Sequence, residues 1–568
     1  MRARNRWVST AAAALAAVLL LAGCVAIPTS GPVQRGDVVV REAGRAFLQG
    51  NDPEPGDSPE GIVSGFLRAG AAGLSVADQF TVARKFLTDS AAGEWDPRAQ
   101  VLIYPEKSGG PKIESRPDGT VLVTVPVKAK VDSSFQYTEV KPGAQEEIVF
   151  ELTRDANREW RISHLDDGVV MSPSNFTVLY RRVPIYFPST HGSQLVPDVR
   201  WFPSENTASY AVSALLEGPA PWLRDAVRPG VPEGTTLSAS SVTISNSLQA
   251  SVDLASDVRE GADVNLLQAQ LDATLKRLPG VKTVAVSIGG VPWPADDVPQ
   301  LERDPQPVNG PYLLSGDQLA LLDRGTVVPV EDAAPLTGLD ARYPALSLDE
   351  RTRVVLGGAS QLLLLPAGGA APVTLLTGSN LIPPSVDRFG WTWSGERASN
   401  GVLTAVLPTN EVASISAEML DGRVVRALRV ARDGARVAIA HTDGAGLGLV
   451  IDIAAVVRDD SGRPQLLGEN ALQVGASLDA ASELVWVDEA TLAVLGASGT
   501  LSAPAVHLVP LGGQTEVLPL MDRTLGIAAG RGDRSLYLVD EDGALTARQS
   551  TSWVPTGVTG VRDPTFPG

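Results

Sequence analysis

The chain has 568 residues, 65 acidic against 47 basic side chains, a formal net charge of −18 and one cysteine. At 44% apolar and 20% charged residues it has the composition of a globular protein rather than a disordered one, and its length asks for three or four domains instead of one core. So acidic a balance argues against nucleic acid and anionic lipid as partners, and a lone cysteine rules out disulfide bracing within the chain.

Arg2, Arg4 and Arg6 open the chain, Ala11 to Leu21 form an unbroken apolar run, and Leu21-Ala22-Gly23-Cys24 follows. This is the layout of a secretory signal peptide over residues 1–23. The run is too short for a good membrane span, which takes about 20 apolar residues. A cysteine in place of an ordinary cut makes the stretch resemble the bacterial lipobox. That resemblance implies a cut between Gly23 and Cys24, a diacylglyceryl group on the Cys24 thiol and an acyl group on its amine, with palmitate-type chains. Several acyl chains anchor stably where one does not. The mature chain loses three arginines and no acid, so Lys+Arg falls from 47 to 44 and net charge moves from −18 to −21. It is expected on the extracytoplasmic side, tethered to the cell membrane.

Residues 24–57 carry Pro28, Gly31, Pro32, Pro53, Pro55 and Gly56 and keep no apolar period, which predicts a flexible tether spanning on the order of 30 Å. Ser58-Pro59-Glu60 then supplies an N-cap, a first-turn proline and an acid, and Ile62, Val63, Phe66 and Leu67 follow at helical spacing. A second amphipathic stretch runs from Val76 to Leu87. After Trp95 the period becomes two: every odd position from Val121 to Val131 is Val or Ala, and Ile148, Phe150 and Leu152, then Trp160 and Ile162, repeat the alternation. Helices followed by a curved antiparallel sheet resemble an NTF2-like α+β cone over 58–179. Such cones can hold ligands in the concave face. His164 and Asp166 raise that idea here, but they fit an exposed strand end better.

Residues 180–300 read as a second, α/β module. Val183, Ile185 and Phe187 form a strand ended by Pro188, and Asn206 or Thr207 caps a helix stopped by Gly218-Pro219. Val242 and Ile244 pair with Ala250, Val252 and Leu254. Val264, Leu267, Leu271, Leu275 and Leu278 stripe a second helix, and Val284, Val286 and Ile288 make the last strand before Gly289-Gly290. Leu215-Leu216-Glu217-Gly218-Pro219 followed by Val252-Asp253-Leu254 makes this segment resemble a GerMN domain. Asp253 reads as a turn or edge residue sooner than as a ligand.

Residues 310–568 are rich in strands and turns. Ala345 to Leu356 resembles Ala427 to Ala438, each a pair of short strands round an Asp-centred turn, and their offset is two units of about 41 residues. Phe389-Gly390-Trp391-Thr392-Trp393 and Glu483 to Glu489 supply aromatic strands expected at a second phase of the cycle, and Leu536 to Val539 leads into Asp540-Glu541-Asp542-Gly543. Units of about 40 residues with four strands each predict a β-propeller of about six blades, with a pair of β-sandwiches as the competing architecture.

Chemistry is harder to find. No Gly-x-Ser-x-Gly, Ser-x-x-Lys or Walker loop occurs, and His164, His191, His441 and His507 never fall at metal-binding spacing. Asp540 to Gly543 lacks the alternating ligands of a calcium loop. The expectation is a non-enzymatic binding protein with no catalytic residue, metal or cofactor. Lipobox, NTF2-like unit, GerMN module and propeller, in that order, resemble the actinobacterial LpqB lipoproteins. That resemblance implies an accessory to a two-component sensor kinase of the MtrA–MtrB type, acting in envelope homeostasis and division through the kinase's extracytoplasmic domain. The alternative is a non-catalytic peptidoglycan-binding lipoprotein, with Trp201, Trp222, Trp391 and Trp393 as candidate sugar-stacking residues.

Overall fold

A computed structural model describes residues 50–568 apart from 74–79, 192, 233, 239–240, 256–261 and 500–503. The expected signal peptide, Gly23, Cys24 and nearly all of the expected tether lie outside the described residues. Ser58 caps the helix Pro59–Ala72, its hydroxyl accepting from the Gly61 N–H at 3.1 Å. Gly65 lets this helix close on Phe86, because a Cβ there would sit 2.4 Å from the Phe86 ring. Of the amphipathic stretch expected from Val76 to Leu87, residues 76–79 lie outside the described residues, and among the described ones the helix covers Thr81–Arg84. Phe80 enters it in a left-handed conformation, and the Phe86 carbonyl and Leu87 are drawn to the strand at Ile162 instead. Two four-stranded sheets complete this module. One joins Lys112–Ser115, Val121–Pro126, Gln145–Arg154 and Trp160–His164, and the other Tyr137–Glu139, Ala129–Asp132, Gln100–Ile103 and Val169–Met171. Residues 121–131 bend from one sheet into the other, and all their odd positions are buried, as the alternation requires. One pairing departs from the antiparallel expectation: Gln100–Ile103 runs parallel to Val169–Met171. Between these two strands the chain passes through all the other strands of both sheets, so no hairpin dictates the direction of the last one.

The middle module opens with the strand Tyr180–Pro188, antiparallel to Gln194–Pro203. Pro188 sits in the paired strand, opposite Leu195. Helix Thr207–Glu217 follows, with Asn206 at its N-cap in a left-handed conformation and without a side-chain capping bond, while the Thr207 hydroxyl donates back to the Pro203 carbonyl at 2.9 Å. Thr243–Ile244 pairs antiparallel with Gln249–Leu254, which runs parallel to Thr283–Ile288 across the helix Val264–Leu275. Crossing between parallel strands through a helix is the usual βαβ solution.

The strands from Tyr312 to Thr565 form a closed ring. Ala341–Leu346, Arg353–Gly357, Gln361–Leu364 and Val373–Thr377 make one four-stranded group, and Ala480–Asp488 and Thr524–Ala529 begin two more. The 19-residue strand Val412–Val430 is shared: its first half ends one group and its second half starts the next, which fuses two groups into a seven-stranded sheet. Tyr312–Ser315, Gln318–Asp323 and Thr326–Pro329 receive their innermost strand from the other end of the chain, Val561–Thr565. The described strands thus divide into six four-stranded groups whose innermost strands each neighbour the next round the ring. Closing first strand to last removes the free edge of a propeller. The Asp turns also regularise. Asp349, Asp387, Asp433 and Asp488 all cap the turn from innermost to second strand, each accepting from backbone N–H groups. The aromatic segments at Phe389 and Glu483 therefore share one phase with the echoed pair rather than occupying a second.

Candidate functional site at the junction of the modules

The described residues from Gly50 onward hold together as one compact unit, because the core of the middle module does not stop at its boundary. Ile185, Phe187, Leu215 and Leu271 belong to the same buried cluster as Ala438, Ile451, Ile453 and Leu484 of the propeller. At its rim the fully buried Tyr186 donates its hydroxyl to Glu489 at 2.6 Å. Arg436, also buried, donates to Asp433 and to the Glu489 carbonyl at 2.8 Å, and its guanidinium lies over the Trp486 ring at 5.0 Å. Burial raises the Glu489 pKa, with the Tyr186 hydrogen bond opposing it. Asp304 is pushed up to about 6 by burial and by neighbouring Glu489 and Asp488, and burial brings Arg432 down to about 10.

The first module joins the same junction. The Trp201 N–H donates to the Phe135 carbonyl at 2.9 Å, its indole N–H to the Gly512 carbonyl at 2.7 Å, and Thr515 of the propeller donates its hydroxyl to Glu139 at 2.6 Å. Asp198 and Arg200 fix the helix end at Gly218-Pro219. Arg200 donates to Asp198 at 2.7 Å and to the Gly218 carbonyl at 3.0 Å, while Asp198 also accepts from the Ala220 N–H at 2.9 Å. Leu215 to Pro219, read from sequence as a helix stop, is thus a stop held from a neighbouring strand. Two clefts open here. One, of about 570 Å³, includes Asp132, Glu217, Trp222, Arg224 and Gln473. The other, of about 310 Å³, includes Lys128, Tyr137, Phe176, Arg182 and Trp201.

The residues singled out from sequence scatter. Cys24 and Gly23 fall outside the described residues. His164 is exposed at the end of its strand, whereas His441 is buried against Asp452 at 2.8 Å. His507 lies against Ser498 at 3.0 Å, with burial lowering its pKa, and His191 contacts Thr190. Asp253 serves the turn: it accepts from Ser238, from Ser287 and from the Gly290 N–H at 2.8 Å, and these bonds hold its carboxyl below the usual range. Among the described residues no group of three or more His, Cys, Asp or Glu is placed to hold a metal ion. Trp222, Trp391 and Trp393 are core residues, which leaves Trp201 as the half-buried one of the four proposed stackers. Sequence reasoning missed Asp198, Arg200, Lys128 and Glu489. The Asp-x-Arg spacing of the first pair, two same-facing charges in an apolar strand, was the available signal.

Three family models match in succession: the LpqB N-terminal domain over residues 52–177, sporulation and spore germination over 184–293, and the LpqB β-propeller domain over 317–567. Among solved structures, the first GerMN domain of the sporulation protein GerM from Bacillus subtilis is 22% identical, covering 21% of this chain and 93% of that one at a TM-score of 0.18. Lipoprotein LpqB of Streptomyces coelicolor is 28% identical, covering 87% of each chain, and that of Rhodococcus opacus is 25% identical, covering 98% and 97%. Lipoprotein LpqB of Thermobifida fusca is 30% identical over 90% of this chain and 91% of its own. With all three modules matched in order, the chain belongs to the LpqB lipoprotein family.

Proposed function

We propose that this LpqB-type lipoprotein is held by lipidated Cys24 on the outer side of the cell membrane and modulates a two-component sensor kinase of the MtrA–MtrB type, in envelope homeostasis and division. The order of its parts supports this reading: a lipobox, then a short segment, then three modules matched one after another. No helix among the described residues is long and apolar enough to cross a membrane. The protein works without catalysis, by binding one conformation of the kinase ectodomain better than another and shifting its population. Modules locked to one another suit that task, because binding energy is not lost in ordering them.

Two measurements test it. Cys24→Ala should move the protein from the membrane fraction to the soluble one; retention in the membrane would refute the lipid anchor. The soluble chain beginning at Val25, immobilised and exposed to detergent-solubilised envelope, should capture an MtrB-type kinase over an unrelated acidic lipoprotein. Retention on purified sacculi without any kinase would replace this reading with peptidoglycan binding. The half-buried Trp201 in a junction cleft favours that second reading.

A further inference from the structure

The 310 Å³ cleft has walls from all three modules and falls in the range of about 300–1,000 Å³ usual for small-molecule sites. Trp201 is part of its lining. Its ring is backed by Phe176 at 4.7 Å and Tyr137 at 5.9 Å between centroids, and its indole N–H is fixed on the Gly512 carbonyl at 2.7 Å. An indole held on two sides is a preformed stacking surface. Lys128 lines the same cleft, half-buried, and its ammonium makes no hydrogen bond or ion pair with any described residue, its backbone alone bonding to Ile103 and Val140. Burial lowers its pKa, against the pull of Glu139 and Glu106. Arg182 directs one nitrogen to the Leu511 carbonyl at 2.8 Å and adds a second cation. Thr177 and Gln514 offer neutral hydrogen-bonding groups, and Glu516 is the single acid in the lining. In a chain with 65 acids against 47 bases, an ammonium that Glu139 and Glu106 attract without a hydrogen bond or ion pair, beside an aromatic surface, stands out.

We propose that this cleft binds a sugar ring carrying a carboxylate, the ring stacking on Trp201 and the carboxylate meeting Lys128 and Arg182. The choice of a sugar rests on the peptidoglycan reading given above; the aromatic surface and the cations are independent of it. Thr177 and Gln514 are placed to serve ring hydroxyls. A carboxylate is favoured over a neutral substituent because a charged hydrogen bond to a partly withdrawn ammonium is about twice as strong as a neutral one.

Calorimetric titration of the chain beginning at Val25 tests the proposal, with N-acetylmuramic acid as the carboxylated probe and N-acetylglucosamine as the neutral one. The carboxylated sugar should bind about tenfold tighter. Lys128→Gln should erase that preference at unchanged melting temperature. Trp201→Phe, which keeps a ring in place, should weaken both sugars alike. No saturable binding, equal affinity for the two sugars, or indifference to both substitutions would overturn the site. Sacculus retention by wild type and both variants alike would leave wall binding standing and the cleft refuted. Sugar binding that responds to the variants without sacculus retention would establish the cleft and refute wall binding.

Discussion

Asp198 and Arg200 stand two residues apart on one strand, so the period of two puts both on the same buried face. Neither has water to turn to, and Arg200 is matched by a carboxylate that also holds the Ala220 N–H. Asp198→Ala should cost about 3–5 kcal/mol, read from denaturant unfolding, because it leaves a buried guanidinium without its counter-charge. Glu483 presents the opposite case. It lies on an innermost propeller strand beside Arg429 and accepts the Ile527 N–H at 2.8 Å, yet burial outweighs these and pushes its pKa from 4.5 to about 7. The folded state then holds this proton more tightly than the unfolded chain. Its contribution is fully present below pH 4.5 and is lost as pH rises to about 7. Asp304, raised from 3.8 to about 6, acts in the same direction. Glu483→Gln, which keeps an acceptor for Ile527, should therefore flatten the fall in melting temperature between pH 5 and 7; an unchanged profile would refute the assignment.

Among the strands, register is enforced by close approach as much as by pattern. In Thr491–Ala497 a Cβ at Gly496 would sit 2.1 Å from the Ala480 carbonyl oxygen, a backbone atom that cannot step aside. Gly496→Ala should destabilise by about 1–3 kcal/mol as the pair is pushed apart, detected as a lower denaturation midpoint at unchanged slope. Much of this layer was legible. Ser58-Pro59-Glu60 specified a helix start and Val121 to Val131 a half-buried strand, because cap chemistry and period two are local. From Thr81 to Leu87 the apolar period is shared by a one-turn helix and a segment recruited to a strand, and only Ile162, far away in sequence, decides between them. Asp349 and Asp433 were recognisable as equivalent turns. Asp387 and Asp488 were not, because the strands round them vary in length and the spacing drifts.

At the scale of the whole chain, closure and docking govern stability. The ring depends on Val561–Thr565 completing the sheet begun by Tyr312–Ser315. Removing residues 561–568 should abolish cooperative unfolding and expose the Tyr312, Leu313 and Leu314 core, measured as dye binding and loss of a single calorimetric transition. The middle module is similarly dependent. Its buried cluster continues into Ala438, Ile451 and Leu484, so residues 180–300 expressed alone should show poor amide protection on the face that carries Tyr186. Robust protection there would show that the shared core is dispensable.

The sequence by itself determined the order of the modules, their secondary-structure classes and the repeat that builds the ring, because caps, periodicity and turn residues act over a few positions. Only the tertiary structure decided that the modules share a core, that the last strand closes the first sheet, and that Trp201, Lys128 and Arg182 line one cleft. Those arrangements bring together residues hundreds of positions apart, and their free energy comes from burial and charge pairing between surfaces that no local pattern encodes.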